Sequence, residues 1–284
     1  MLITSDFHIH SEYSYDATLP LETIATTAMA CGFTRIGITD HLNFNDSAFI
    51  RDVRRSAAAV LEAQEKYPFM LPGVELTPIQ KGHFDYIVKN GTREGYVLRS
   101  SDDRYGIEFG LSKEELMALG IRYAVGASHW RLDTIGTDAG VGDTESLIRE
   151  LFRQQLWIAQ DSRVTILGHP WYHGKAPWFE DFSIIPRSLH AELIAAVKQN
   201  GKCAECNTGV MLQFEERARY QYAEYLREMF ESGIRITFGS DSHKAYNDNR
   251  KGTGRGDIEL EKYLLAAGFK DGDFYTLQDS DLWQ

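Results

Sequence analysis

Short apolar, β-rich runs alternate along the chain with longer stretches whose apolar residues recur every three to four positions. The first pattern predicts strands at "LITSDFHI", "TRIGITDH", "FMLPGVEL", "RYAVGASHW", "VTILGHPW", "GKCAECN" and "IRITFGSDSH". The second predicts helices over residues 20–31, 47–66, 112–119, 144–160, 187–199 and 215–232, with a last one over 257–267. Ser112 and Glu115 have capping-box spacing, and Thr144 precedes an amphipathic run. Gly32, Gly120, Gly201 and Gly233 stand where helices should end. Strand–helix alternation of this kind implies a parallel sheet. The region from 79 to 111 breaks the rhythm and predicts an extra hairpin after the third strand. "KAPWFEDFSIIP" reads as a long loop after the fifth. Both insertions would lie over the strand ends.

Polar residues choose between a doubly wound sheet and a barrel. Six of the seven strands end in a ligand-type side chain: His8 and His10, Asp40 and His41, Glu75, His129, His169, then Asp241 and His243. The sixth ends in Glu205 and Asn207. A doubly wound sheet gathers its site at one switch point, whereas a barrel draws on nearly every strand at its C-terminal mouth. The expectation is therefore an α/β chain with an incomplete, seven-stranded barrel, all 284 residues forming one domain.

The opening "SDFHIHSEYSYDA" shows the chemistry. Residues i and i+2 of a strand share a face, so His8 and His10 project side by side, as two ligands of one metal would. A pair of half-exposed histidines at a strand end is the plainer alternative. Asp6, beside His8, suits a carboxylate that orients an imidazole, with an ordinary solvated strand-edge residue as the alternative. Among the remaining histidines, His190 falls in a helical pattern and reads as a surface residue. His83 and His173 are candidates for a substrate or acid role.

Composition narrows the partners. An apolar fraction of 43% supports a substantial core, and a formal charge of −11 disfavours polyanions and anionic membranes. A small anionic substrate is still compatible, because metal ions reverse the local field. Three cysteines cannot make a disulfide scaffold, and neither a secretion signal nor a run of transmembrane length stands out, so a cytoplasmic protein is expected. "CAEC" has the spacing of a thiol metal or redox motif. Within a strand, however, Cys203 and Cys206 would face opposite sides, which predicts two buried structural thiols.

Taken in order, HxH, TDH, the Glu after "GV", the "SHW" histidine, GHP and SDSH resemble the PHP (polymerase and histidinol phosphatase) family, from Asp6 to His243. "GASHW", "ECNTG" and "GSDSHK" look most like its free-standing histidinol phosphatase branch. The resemblance implies a distorted (β/α)7 TIM-like barrel holding two or three divalent ions of zinc, manganese or iron. It implies that His8, His10 and Asp241 hold one ion, with Glu75 bridging to a second held by His129 and His169. Asp16, His41 and His243 would hold a third. Such a cluster suits hydrolysis of a small phosphate monoester by metal-activated hydroxide. Arg131 and Lys244, just beyond proposed ligands, would contact the phosphate, and Glu75 and Asp241 would serve catalysis as well as the metals. The loop "NRKGTGRGD" could form an anion nest or be simply solvated. The alternatives are a phosphodiesterase or nuclease acting on nucleotides, a hydrolase of another bond, and a metal-binding protein without turnover. No residue specifies the substrate, the native metal or the oligomeric state.

Overall fold

Strand β1, Ser5–Ile9, pairs in parallel with β2, Arg35–Ile38, and β2 with β4, Met70–Leu76. The sheet continues through β7, Tyr123–Gly126; β8, Ile166–Leu167; β9, Cys203–Asn207; and β10, Ile236–Gly239, every pairing parallel. A two-residue strand β3, His41–Leu42, also pairs with β4. The last strand returns to the first. Asp241 N–H donates to the His8 carbonyl at 2.8 Å, and His10 N–H to the Ser242 carbonyl at 2.9 Å. The result is a nearly closed barrel of seven parallel strands, in a computed structural model that describes residues 3–43, 47–80, 106–129, 143–173, 176–246 and 259–284.

Buried on both faces, these strands need apolar residues throughout, and β4 is buried along its whole length. Helices cover the outside: α1, Leu21–Ala30; α2, Ser47–Ala63; α3, Lys113–Ala118; α4, Thr144–Gln160; α5, Arg187–Gln199; α6, Thr208–Met211; α7, Glu216–Glu231; and α8, Leu260–Ala266. Each long helix turns one apolar stripe inward. In α2 that stripe is Val53, Ala57 and Val60, and each fully buried valine contributes about 1.5–3 kcal/mol. The capping box at Ser112 and Glu115 is present in both directions. Helix α4 is capped by Asp143 rather than Thr144, because the carboxylate accepts Ser146 N–H at 2.9 Å.

Inside the barrel, Tyr123 fills the space that Gly37 and Gly73 leave open and donates its hydroxyl to the Phe7 carbonyl at 2.9 Å. The C-terminal segment then closes the floor. Leu277 and Leu282 join Phe7, Leu71, Tyr123 and Ile166 in one apolar cluster. Trp283 N–H donates to the Arg122 carbonyl at 2.7 Å, and Arg235 pairs with Asp281 at 2.7 Å.

Strand β8 is shorter than the pattern predicts, because the chain turns at His169 and Trp171, whose φ angles are 21° and 63°. Only the base of the hairpin after β4 is described: β5, Ile79–Gln80, pairs antiparallel with β6, Ile107–Glu108. The segment after β8 carries two 3-10 turns and buries Trp178 and Phe182 in the outer core. His190 is buried too, 7% exposed among Trp171, Phe182 and Tyr225, which corrects the surface reading. The three-residue spacing does separate the thiols of β9. Cys203 faces the barrel interior and Cys206 the helical layer. Burial pushes the Cys203 thiol up to about 12 and raises that of Cys206 as well. Among the described residues, no helix is long and apolar enough to cross a membrane.

Candidate metal centre

Strand direction brings the polar side chains together. All seven barrel strands run the same way, so their C-terminal ends share one mouth. Glu75, near the end of β4, is fully buried at the centre. Its Oε2 lies 3.3 Å from His8 Nε2, 3.4 Å from His10 Nε2 and 2.8 Å from His41 Nδ1. Its Oε1 lies 3.2 Å from His129 Nε2 and 3.1 Å from His169 Nε2. One carboxylate thus turns a different oxygen to each of two groups of imidazoles.

His8 and His10 are both fully buried, not half-exposed, and their Nε2 atoms stand 3.1 Å apart. Asp241 Oδ1 lies 3.2 Å from His10 Nε2 and 3.6 Å from His8 Nε2. On the outer side, Asp16 Oδ2 is 3.3 Å from His41 Nε2 and 3.5 Å from His243 Nε2. Asp241 takes a left-handed backbone conformation, φ 54°, at the point where it turns into the mouth.

The donors suit divalent transition metals. Nitrogen or oxygen ligands at roughly 2.0–2.1 Å from one ion lie about 3.0–3.4 Å from each other, close to the separations above. Donor atoms of His8, His10 and Glu75, of His10, His41 and His243, and of His41, Glu75 and His129 each lie within 4.8 Å of one another. Glu75 Oε2 and His41 Nδ1, which face each other at the centre of the cluster, are both buried without a well-formed hydrogen bond. Orphaned polar atoms are costly in a protein interior, and a cation is one way to satisfy them.

Burial and the neighbouring charges shift these groups in opposite directions. Burial and the neighbouring His41 and His243 push His10 down to about 3, leaving it a neutral donor. Burial opposes charge on His41, but Glu75 and Asp16 outweigh it and raise His41 to about 10. Burial likewise opposes the Glu75 charge, yet His8, His129 and His41 hold its carboxyl well below the usual range. Asp241 is held down by His8 and His10 in the same way, against burial.

Several side chains that fix this arrangement were not legible as such. His129 lies 2.9 Å from the Thr77 hydroxyl, whose own proton goes to Asn43 Oδ1 at 2.6 Å, so Nδ1 donates and Nε2 is the nitrogen turned to Glu75. Glu205, on the sixth strand, meets His8 Nδ1 at 2.7 Å, and Asn207 donates to Asp241 at 3.2 Å. Their i, i+2 spacing at a strand end repeats that of His8 and His10, the one signal that could have marked them. Asp6 does not orient an imidazole. It accepts the backbone N–H groups of His8 and Ser240 and the Tyr246 hydroxyl. Asp40 also turns away, accepting from Ser11 and Ser56.

Beside the cluster opens a cavity of about 460 Å³, lined by Asp16, Tyr172, Leu212, Gln213, His243 and Lys244 among others. His173 is buried just beyond β8. Arg131, His83 and the loop 249–257 lie outside the described residues.

The family model of the PHP domain matches residues 6–246. The chain belongs to the PHP family. The match runs from Asp6, in β1, to Tyr246, and so spans every proposed ligand. Two solved structures share the fold. Histidinol phosphate phosphatase from Lactococcus lactis, solved with zinc, L-histidinol and phosphate, aligns over 100% of both chains at 18% identity and a TM-score of 0.68. A protein from Listeria monocytogenes, provisionally assigned as a histidinol phosphatase, covers 89% of this chain and 98% of its own, with 16% identity and a TM-score of 0.62. No curated protein matches the chain by sequence.

Proposed function

We propose that the protein is a metal-dependent phosphoesterase that hydrolyses a small phosphate monoester. The carrying observation is Glu75, whose two oxygens face separate sets of imidazoles at the mouth of a PHP barrel. His8, His10 and Asp241 would hold one ion, His129 and His169 a second, and Asp16, His41 and His243 a third, with Glu75 bridging the first two. Bound zinc, manganese or iron would supply Lewis acidity, activating water near neutral pH and neutralising phosphate oxygens.

The chain's own residues would supply position and charge. Thr77 fixes the ring of His129, and Asn207 braces the carboxylate of Asp241. Lys244 stands at the cavity rim beside His243 and can meet a phosphate oxygen, while Tyr172 and Leu212 offer an apolar wall to the leaving alcohol. An acidic chain with a cavity of this size favours a small ester over a nucleic acid. Histidinol phosphate, the ester that the Lactococcus enzyme is named for, is the first substrate to try. A cytoplasmic location, suggested by the few unpaired cysteines, goes with this reading.

Metal-loaded protein assayed against phosphomonoesters, phosphodiesters and lactones tests the proposal. Release of inorganic phosphate from a monoester, with two or three metal equivalents by elemental analysis, is expected. Preference for diesters would make the protein a nuclease-like phosphodiesterase. Under one equivalent after reconstitution, or no turnover of any ester, would overturn the reading. In the same assay Lys244→Ala should lower kcat/KM about three- to tenfold with metal content unchanged, the weight of one solvent-exposed charge contact. A change below threefold would remove Lys244 from phosphate binding.

A further inference from the structure

Glu205 stands on the one barrel strand that contributes nothing to the proposed metal ligands, yet it is 1% exposed at the floor of the cluster. Its oxygens are already engaged. Oε1 lies 2.7 Å from His8 Nδ1; Oε2 accepts the backbone N–H of His169 at 2.7 Å and the amide of Asn207 at 3.2 Å. The carboxylate therefore joins a side chain on β1 to the turn after β8, where His169 has a φ of 21°. Room for it exists only because residue 239 is glycine. A Cβ there would lie 1.9 Å from Glu205 Oε1 and 2.8 Å from His8 Cβ.

We propose that Glu205 is a positioning residue that keeps the proton of His8 on Nδ1, so that Nε2 faces the metal position, while holding the His169 turn in place. The inference rests on the reading of His8 as a metal ligand. It goes beyond that reading by assigning the orientation of two ligands to one buried carboxylate.

Glutamine shows why a carboxylate is needed. The His169 N–H is a backbone donor and cannot change role, so in Glu205→Gln the single amide oxygen would have to serve it. The amide NH2 would then face His8 Nδ1, which must accept. His8 would carry its proton on Nε2, the nitrogen that should bind metal. The replacement is nearly the same size, so packing alone predicts almost no effect.

Two measurements decide the matter. In zinc-loaded, 15N-histidine-labelled protein, long-range 1H–15N spectra should show the His8 proton on Nδ1, the resonance being assigned by its loss in His8→Asn. Glu205→Gln should leave that Nδ1 unprotonated and weaken zinc binding about 10- to 100-fold in chelator competition, with an unchanged circular dichroism spectrum. A bare His8 Nδ1 in the wild-type protein, or wild-type zinc affinity in the variant, would overturn the assignment. Should the variant fail to fold, the wild-type spectrum still decides. Should the wild-type protein take up no zinc, the metal reading fails, and the proton position in the metal-free protein tests Glu205 separately.

Discussion

Glu75→Gln should remove most of the bound metal and lower phosphomonoesterase turnover by at least about a thousandfold, or ~4 kcal/mol of barrel-mouth chemistry. The substitution keeps shape and takes away one negative charge. That charge lies within 3.4 Å of ring nitrogens from His8, His10, His41, His129 and His169. In its place an amide NH2 would face nitrogens that must present lone pairs to a metal. Loss of a residue behind a ligand typically weakens metal binding about 10- to 100-fold, and loss of the bridge itself should exceed that. The barrel should still form, since among the described residues no backbone group hydrogen-bonds to the carboxylate, and the volume is unchanged. Elemental analysis and initial rates on the variant check the claim. Near-normal metal content and turnover would rule out a bridging role for Glu75.

Gly37→Ala should give the largest loss of stability. The added methyl would sit 1.7 Å from the Tyr123 hydroxyl oxygen and 2.7 Å from the ring carbon bearing it. Tyr123 cannot swing away: it is fully buried, its ring abuts Gly73 on the next strand, and its hydroxyl is tied to Phe7. Overpacking of this kind costs about 1–3 kcal/mol or more, and the strand pair β1–β2 or β2–β4 must spread to relieve it. A fall in Tm of roughly 5–10 °C is expected for a chain of this size. Tyr123→Phe removes the atom in closest conflict, so the double variant should be more stable than the sum of the single effects predicts. A Tm within about 1 °C of wild type for Gly37→Ala, or strict additivity in the double variant, would disprove close packing of Tyr123 against β2.

The order and type of the main elements were legible in the sequence by itself, because they follow from periodicities within a dozen residues. Helices over 144–160 and 187–199 have the bounds that the apolar pattern predicts, and the seven strands occur in the expected order. So was the placing of His8, Glu75, His129, His169 and Asp241 at or just beyond strand ends, since parallel strands of one barrel bring such ends to one side. What meets what across that mouth was decided only by the tertiary structure. Asp6 stands next to Phe7 and two residues from His8, yet it serves backbone amides. Glu205, 197 positions away, takes the His8 ring. His190 has the helical setting of a surface residue and is buried by Phe182 and Tyr225, from a turn and a helix outside its own. The floor of the barrel comes from residues 277–283, the far end of the chain from the β1 it supports. Local patterns set which face of a strand or helix is apolar, but these partners depend on the register of the parallel strands and on the return of β10 to β1, contacts between segments that no periodicity relates.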